Sequence, residues 1–281
     1  MGLFAFLKKR FWHQLLFSLG INAHLKGFLE AHPYQGAAKG LCLPVLNCYS
    51  CPGALTSCPL GSLQYMIYSN ARHLSLMVLG IVGSAGILAG RWVCGHLCPF
   101  GFYQDLLKKT TKKSLKLPRI WTKMKYVILF LFVVLLPLLL SKPAFCTLIC
   151  PAGTLQGGLT LVWSLGIPLG FIYFWKLGLL LFFSAFSLVI PRFFCRTACP
   201  LGAFLGFFNK FSLFSIHVDM NTCISCDACR KVCPVDINIS EHPASAECIR
   251  CGDCLPACPV SCITFTSPLS KEKGAFNEAS L

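Results

Sequence analysis

Acidic side chains are scarce in this sequence. Ten of its 281 residues are Asp or Glu, and only Glu30 and Asp105 precede position 219. Charge of either sign is thin at 12%, where an ordinary soluble domain carries about 25%. That shortage argues against a water-facing surface over most of the chain. No G-x-G-x-x-G or P-loop pattern follows a strand-like run, which leaves nucleotide binding without support. Gly2 is not followed by Ser or Thr at position 6, so nothing points to myristoylation. After Lys8, Lys9 and Arg10 comes an apolar stretch with no small-x-small cleavage pattern, and it reads as a retained first helix.

What is abundant is apolar surface, positive charge and cysteine. The chain is 55% hydrophobic, has a formal net charge of +15 and contains 19 cysteines. Its basic residues flank apolar runs, which favours a lipid bilayer over nucleic acid as the partner. The composition shifts near residue 215. The expected organisation is an all-α membrane domain over 1–215, a compact α+β domain over 216–265 and a polar tail over 266–281.

A spanning helix needs about 20 mostly apolar residues. Four stretches qualify: about Phe11–Phe28, Leu74–Gly90, Tyr126–Leu140 and about Pro168–Ile190. A fifth, over Leu159–Trp175, would leave Leu177–Ile190 as a separate helix of roughly 21 Å, too short to cross. A single helix opening at Pro168 fits better, with Lys176 snorkelling toward the outer face and Leu159–Ile167 at the interface. Gly80, Gly83, Gly86 and Gly90 mark close helix packing. The loop between the second and third spans carries Lys108, Lys109, Lys112, Lys113, Lys116, Arg119, Lys123 and Lys125. The positive-inside rule makes it cytoplasmic, and both termini with it.

Four segments end in Cys-Pro-x-Gly: CPLG at 58–61, CPFG at 98–101, CPAG at 150–153 and CPLG at 199–202. One expected crossing separates each from the next, so the motif alternates sides, as inverted repeats do. Three copies read Cys-x3-Cys-Pro. A single pair cannot complete a four-thiolate site, so copies on one side must cooperate. Cys94 and Cys98 fall inside with Cys195 and Cys199. Cys146 and Cys150 fall outside with Cys48, Cys51 and Cys58, which gives five candidates for four ligand positions. For this outer set a disulfide remains an alternative, because that compartment can be oxidising.

Beyond residue 218 two complete C-x2-C-x2-C-x3-C-P runs appear, CISCDACRKVCP (223–234) and CIRCGDCLPACP (248–259). This is the spacing of two-cluster bacterial ferredoxins, in which the fourth cysteine of each run ligates the other cluster. Cys223, Cys226, Cys229 and Cys258 would hold one [4Fe–4S] cluster. Cys248, Cys251, Cys254 and Cys233 would hold the second. Cys42 and Cys262 fit no set.

Together, CGHLCPFG, CRTACPLG, the four apolar spans and the paired ferredoxin runs resemble the NapH-type (NapH/MauN-like) membrane polyferredoxins, 4Fe-4S proteins that serve as quinol-dehydrogenase subunits. The resemblance implies a multi-pass protein of a prokaryotic cytoplasmic membrane with cytoplasmic termini, and electron transfer linked to quinol oxidation. The additional outer cysteines depart from the simplest family pattern. The expectation is therefore an electron conduit joining a cytoplasmic redox donor or acceptor, the membrane clusters and an extracytoplasmic redox protein. Quinone is a candidate cofactor, and haem or flavin is not indicated. A factor that matures or reduces an extracytoplasmic metalloprotein or thiol protein is the alternative. An intermediate carrier between the two membrane sites is expected unless both are drawn toward the midplane. His13, His24, His73 and His96 lie near helix ends, where polar interfacial residues are ordinary.

Overall fold

The computed structural model describes residues 3–30, 32–69, 72–111, 113–165 and 170–266. The expected tail beyond 266 and Pro168 lie outside them, as does the side chain of His73. Helix α1 is Leu3–Ile21. It ends seven residues before the expected Phe28, at Asn22, whose side-chain amide donates back to the Ser18 carbonyl. A single turn, Lys26–Glu30, follows separately. Helices α2 (Pro59–Ser69) and α3 (Arg72–Ala89) pack against each other. Then come the short α4 (Trp92–His96) and α5 (Pro99–Lys109).

Helix α6 runs over Arg119–Leu140, longer at its start than expected. Leu129–Leu135 within it is a π-helical stretch. Pro137 explains the widening: it has no N–H to donate, and its ring crowds the carbonyl of the preceding turn. Helix α7 is Ala144–Leu148. Helix α8 covers 151–165, with a second π stretch at Thr154–Gly158. Helix α9 is Phe171–Val189, α10 is Phe193–Thr197 and α11 is Pro200–Phe208. Beyond it, β1 (Ser215–Val218) pairs antiparallel with β2 (Ile263–Thr266), placing Ile216 opposite Phe265. Helix α12 (Ala228–Lys231) lies between them in sequence.

The protein is mostly helical. Among the described residues, α6 and α9 are long and apolar enough to cross a membrane. Helix α3 is apolar over the shorter stretch Leu76–Ala89. Two buried clusters organise the interior. One gathers the helices around Val45, Leu46, Phe145, Phe194 and Leu205 together with Cys58, Cys94, Cys98, Cys150, Cys195 and Cys199. The other holds Ile216, Val235, Ile249 and Ile263 with Cys248, Cys251 and Cys254.

Candidate metal centres

The four Cys-Pro-x-Gly segments fold alike. Cys98, Cys150 and Cys199 are each extended and cap the helix that follows, with proline in its first turn. Proline suits that position because its missing N–H is unpaired there anyway. The sulfur does what an N-cap serine oxygen does: Cys199 Sγ accepts from the Gly202 amide at 3.4 Å. The amides of Gly61, Gly101 and Gly153 face Cys58, Cys98 and Cys150 in the same way. Steric room explains the glycine. A Cβ at Gly101 would stand 3.1 Å from the Cys94 carbonyl, and one at Gly202 would stand 3.2 Å from the Cys195 carbonyl. In three segments a five-residue helix carries the first cysteine at its third position: Cys94 in α4, Cys146 in α7 and Cys195 in α10.

A glutamine six residues after the capping cysteine joins the repeats in pairs. Gln104 donates to Cys195 Sγ at 3.0 Å and accepts from the Phe194 amide at 3.1 Å. Gln64 repeats the arrangement, donating to Cys146 Sγ at 3.3 Å and accepting from the Phe145 amide at 2.9 Å. Hence the segment at 98 pairs with that at 199, and the segment at 58 with that at 150. Gln156 holds the loop ahead of the first pair, accepting from the Cys48 amide at 2.7 Å. The fourth copy has Leu205 in this place. These glutamines were missed in the sequence. The signal was there, because three of four aligned copies read Cys-Pro-x-Gly-x-x-Gln.

The structure brings Cys94, Cys98, Cys195 and Cys199 together, all buried. It also gathers Cys48, Cys58, Cys146 and Cys150 around a cavity of about 320 Å³. Of the five outer candidates, Cys51 does not line that cavity; it lies beside Cys48 and Lys39. Lys176 does not snorkel away but turns to this site, donating to the Cys146 carbonyl at 3.1 Å. At the other site Arg192 and Arg91, both fully buried, reach the carbonyls of Cys94 and Cys195. Arg192 also grips Asp105 bidentately, at 2.8 and 2.6 Å. Burial opposes the charge on Asp105, yet Arg10 and Arg192 hold its carboxyl well below the usual carboxylate range. Burial and Arg10 push the neighbouring His96 down to about 4, so it is neutral. Its ring stacks on Trp92, with His13 6.4 Å away, while His24 meets the Pro52 carbonyl.

In the C-terminal segment one hollow is lined by Cys223, Cys226, Cys229 and Cys258. A second is lined by Cys233, Cys248, Cys251 and Cys254, with Cys229 between the two. Cys262 also lines the first, with its sulfur 3.4 Å from that of Cys258. The second hollow is seated on the helical part. A Cβ at Gly95 would fall 2.4 Å from the Ile249 carbonyl. Asn209 donates to the Cys248 carbonyl at 2.7 Å, and Arg10 pairs with Asp253 at 3.0 Å. Cys226, which lines the first hollow, is exposed.

Such sites fit iron–sulfur clusters. Among the described residues, no three His, Cys, Asp or Glu side chains converge as a single-ion site. The sulfurs instead surround open space, and backbone amides point at them. All nineteen cysteines are free. Thiolate ligation with amide hydrogen bonds to sulfur is how proteins hold and tune these clusters.

The class so defined is the iron–sulfur electron-transfer proteins. A 4Fe-4S binding domain family matches residues 70–118, 125–170 and 171–219, a little over half of the chain, and a second 4Fe-4S binding domain family matches 216–237. The chain belongs to the 4Fe-4S binding domain family and is a polyferredoxin of the NapH/MauN-like kind. It is 33% identical over 178 residues to an uncharacterized protein of Methanocaldococcus jannaschii, covering 60% of this chain and 62% of that one. It is 27% identical over 187 residues to the putative electron transport protein YccM of Escherichia coli, covering 61% and 48%. With the methylamine utilization ferredoxin-type protein MauN of Paracoccus denitrificans it shares 28% identity over 157 residues, covering 53% and 50%. The matches thus span less than two thirds of each of these relatives. No solved structure matches the chain.

Proposed function

We propose that the protein is a four-cluster electron conduit of a prokaryotic cytoplasmic membrane. In this reading the division at residue 215 separates a membrane part from a two-cluster ferredoxin domain. Cys223, Cys226, Cys229 and Cys258 hold one [4Fe–4S] cluster, and Cys248, Cys251, Cys254 and Cys233 hold the second. Cys94, Cys98, Cys195 and Cys199 hold an inner membrane cluster, and Cys48, Cys58, Cys146 and Cys150 an outer one. When bound, the clusters supply one-electron carriers; the chain holds them apart from water and aims amide donors at their sulfurs. The observation that carries this reading is the twice-repeated glutamine contact, Gln104 to Cys195 and Gln64 to Cys146. It pairs the alternate repeats that inverted topology requires.

Several features support a multi-pass arrangement. Helices α6 and α9 are apolar, yet Phe130, Leu138, Phe171 and Leu181 are exposed on them. A soluble protein would bury such faces. Arg10, two turns into α1, contacts Asp105 and Asp253, while Ile21 at its end accepts from Leu55. That favours a crossing helix with both termini on the side of the basic 108–125 loop. A second apolar cavity, of about 570 Å³, lies between α6 and α9 and runs from Ala198 beside Cys199 to Ile149 beside Cys150. It supports a quinone link. The similarity to a putative electron transport protein and a ferredoxin-type protein fits a cytoplasmic redox partner and an extracytoplasmic one.

The test is anaerobic purification with iron analysis and electron paramagnetic resonance of the reduced protein. About sixteen irons, from four clusters of four, are expected. About eight irons, with signals from the ferredoxin pair alone, would remove the membrane clusters.

A further inference from the structure

Helix α1 serves as a ruler between the two membrane sites. Gln14 donates to the carbonyl of Gly95, which lies between Cys94 and Cys98, at 2.9 Å. Seven residues on, the Ile21 carbonyl accepts from the amide of Leu55, which lies between Cys51 and Cys58, at 2.9 Å. At 1.5 Å per residue that is an axial offset of about 10 Å, roughly a third of a ~30 Å hydrocarbon core. That separation is far shorter than the hydrocarbon core, so the two sites lie closer together than the two faces of a bilayer.

One short stretch touches both. Val45, Leu46 and Asn47 are 1%, 2% and 1% exposed, a depth that irregular backbone reaches only when its polar groups are met. The Leu46 amide faces Cys98 Sγ of the inner set, while the Asn47 amide, which donates to the Val45 carbonyl at 3.2 Å, lies beside Cys58 Sγ of the outer set. Leu46 and Cys48 both line the outer cavity. Gln156 pins the stretch from one side by its contacts to the Asn47 side chain at 2.8 Å and the Cys48 amide at 2.7 Å. Two residues of chain span at most about 7 Å.

Resting on the four-cluster reading, we propose that Leu46–Asn47–Cys48 is a junction that holds the inner and outer thiol sets within direct electron-transfer range, so that no intermediate carrier is needed between them. With clusters bound to both sets, one electron would pass from the cluster held by one set to the cluster held by the other. No bond forms or breaks, and no proton moves. The reductant is a low-potential one-electron donor acting at the exposed Cys226 side.

The test uses the full chain, purified anaerobically and poised at a series of potentials, with paramagnetic resonance of the inner set as readout. When the outer set is also reduced and paramagnetic, the inner signal should broaden or split and relax at least about twofold faster. The effect should vanish at potentials where the outer set is oxidised, and in Cys150→Ala, which removes an outer ligand. An inner signal with the same width and relaxation whether or not the outer set is paramagnetic overturns the junction. The poised series on the parent protein decides the matter even if Cys150→Ala fails to fold. A parent protein with no signal from either membrane set overturns the four-cluster reading itself, and the junction falls with it.

Discussion

Arg192 donates to the carbonyl oxygen of Cys94 at 2.6 Å, and Arg91 returns the contact to the carbonyl of Cys195 at 3.3 Å. Each arginine stands three residues ahead of the first cysteine of its own repeat and serves the other repeat. The inner site thus has a local two-fold exchange, with cysteine and arginine each supplied crosswise. The two guanidiniums differ in counter-ion. Arg192 takes Asp105 from the neighbouring helix, and Arg91 takes Glu247, 3.2 Å away, from the C-terminal segment. A buried charge is costly unless it is paired and hydrogen-bonded; Arg192 meets carbonyl and carboxylate through Nε, Nη1 and Nη2, whereas Arg91 does so through Nη1 and Nη2 and leaves its buried Nε unpartnered.

Replacing Arg192 by leucine should therefore leave Asp105 with Arg10 as its one cationic partner, beside Gln14, and free the Cys94 loop. The expected result is loss of the inner cluster and destabilisation on the order of 3 kcal/mol. Lysine should not rescue it, because an ammonium cannot supply the bidentate fork. Iron content, the inner paramagnetic signal and thermal unfolding in detergent check this. Full inner-cluster occupancy in Arg192→Lys would contradict it.

The glutamines should act on potential more than on stability. An amide N–H given to a ligand sulfur stabilises the more negative, reduced cluster, so its loss lowers the reduction potential. Gln104→Leu should shift the inner set alone and Gln64→Leu the outer set alone, since each contacts one sulfur. Leucine is well suited because it already occupies the same place in the fourth repeat, at Leu205. A tenfold change in the reduced fraction at a given potential, about 59 mV for one electron, is the expected size. A loaded cluster with an unchanged midpoint potential would assign the glutamines a purely structural role.

The sequence groups the cysteines by ligand-type spacing within each segment, and the structure places Cys94, Cys98, Cys195 and Cys199 together and lines one outer cavity with Cys48, Cys58, Cys146 and Cys150. The C-terminal runs are legible from spacing alone, whereas the pairing of alternate Cys-Pro-x-Gly copies is legible from the alternation of apolar spans between them. Three things were not. Asn22, His24 and Lys26 interrupt the first apolar run, but the sequence does not say which of them ends α1; a side chain turning back to Ser18 and the loop contact from Leu55 end it at Asn22. Choosing among Cys48, Cys51 and Cys58 needed the fold of the 42–58 loop, since all three spacings are acceptable for ligands. The roles of Arg91 and Arg192 depend on contacts between repeats about a hundred residues apart, which no local pattern carries.

The seat of the C-terminal segment can be tested at Gly95. A methyl there would collide with the Ile249 carbonyl at 2.4 Å, a backbone atom with little freedom to move. Gly95→Ala should lift the 248–251 loop, with Cys248 and Cys251, off the inner site as a unit, so that the C-terminal clusters keep their ligands while their seat on the helical part opens. Reduction of the membrane clusters by a donor that acts through the C-terminal segment should slow by about tenfold or more, with iron content within a tenth of the parent. Unchanged rates would show that electrons enter the membrane part by another surface.

The last prediction concerns which cysteine of the N-terminal loop is a ligand. Cys48 lines the outer cavity and sits where Gln156 fixes its backbone. Cys51 is turned into its own loop: its amide donates to the Cys48 carbonyl at 3.1 Å, and its carbonyl accepts from Ala54 at 3.1 Å. That turn holds the Cys51 sulfur away from Cys146 and Cys150. Cys48→Ala should therefore cost the outer cluster, about four irons per chain, with the remaining twelve or so retained. Cys51→Ala should keep all of them. The double variant should match Cys48→Ala, because a thiol constrained by that turn has no route to the vacated position. Iron per chain and the outer-cluster signal measured across the three variants decide it. A Cys51→Ala protein that loses the outer cluster while Cys48→Ala keeps it would reverse the assignment and would detach the outer set from the Leu46 junction.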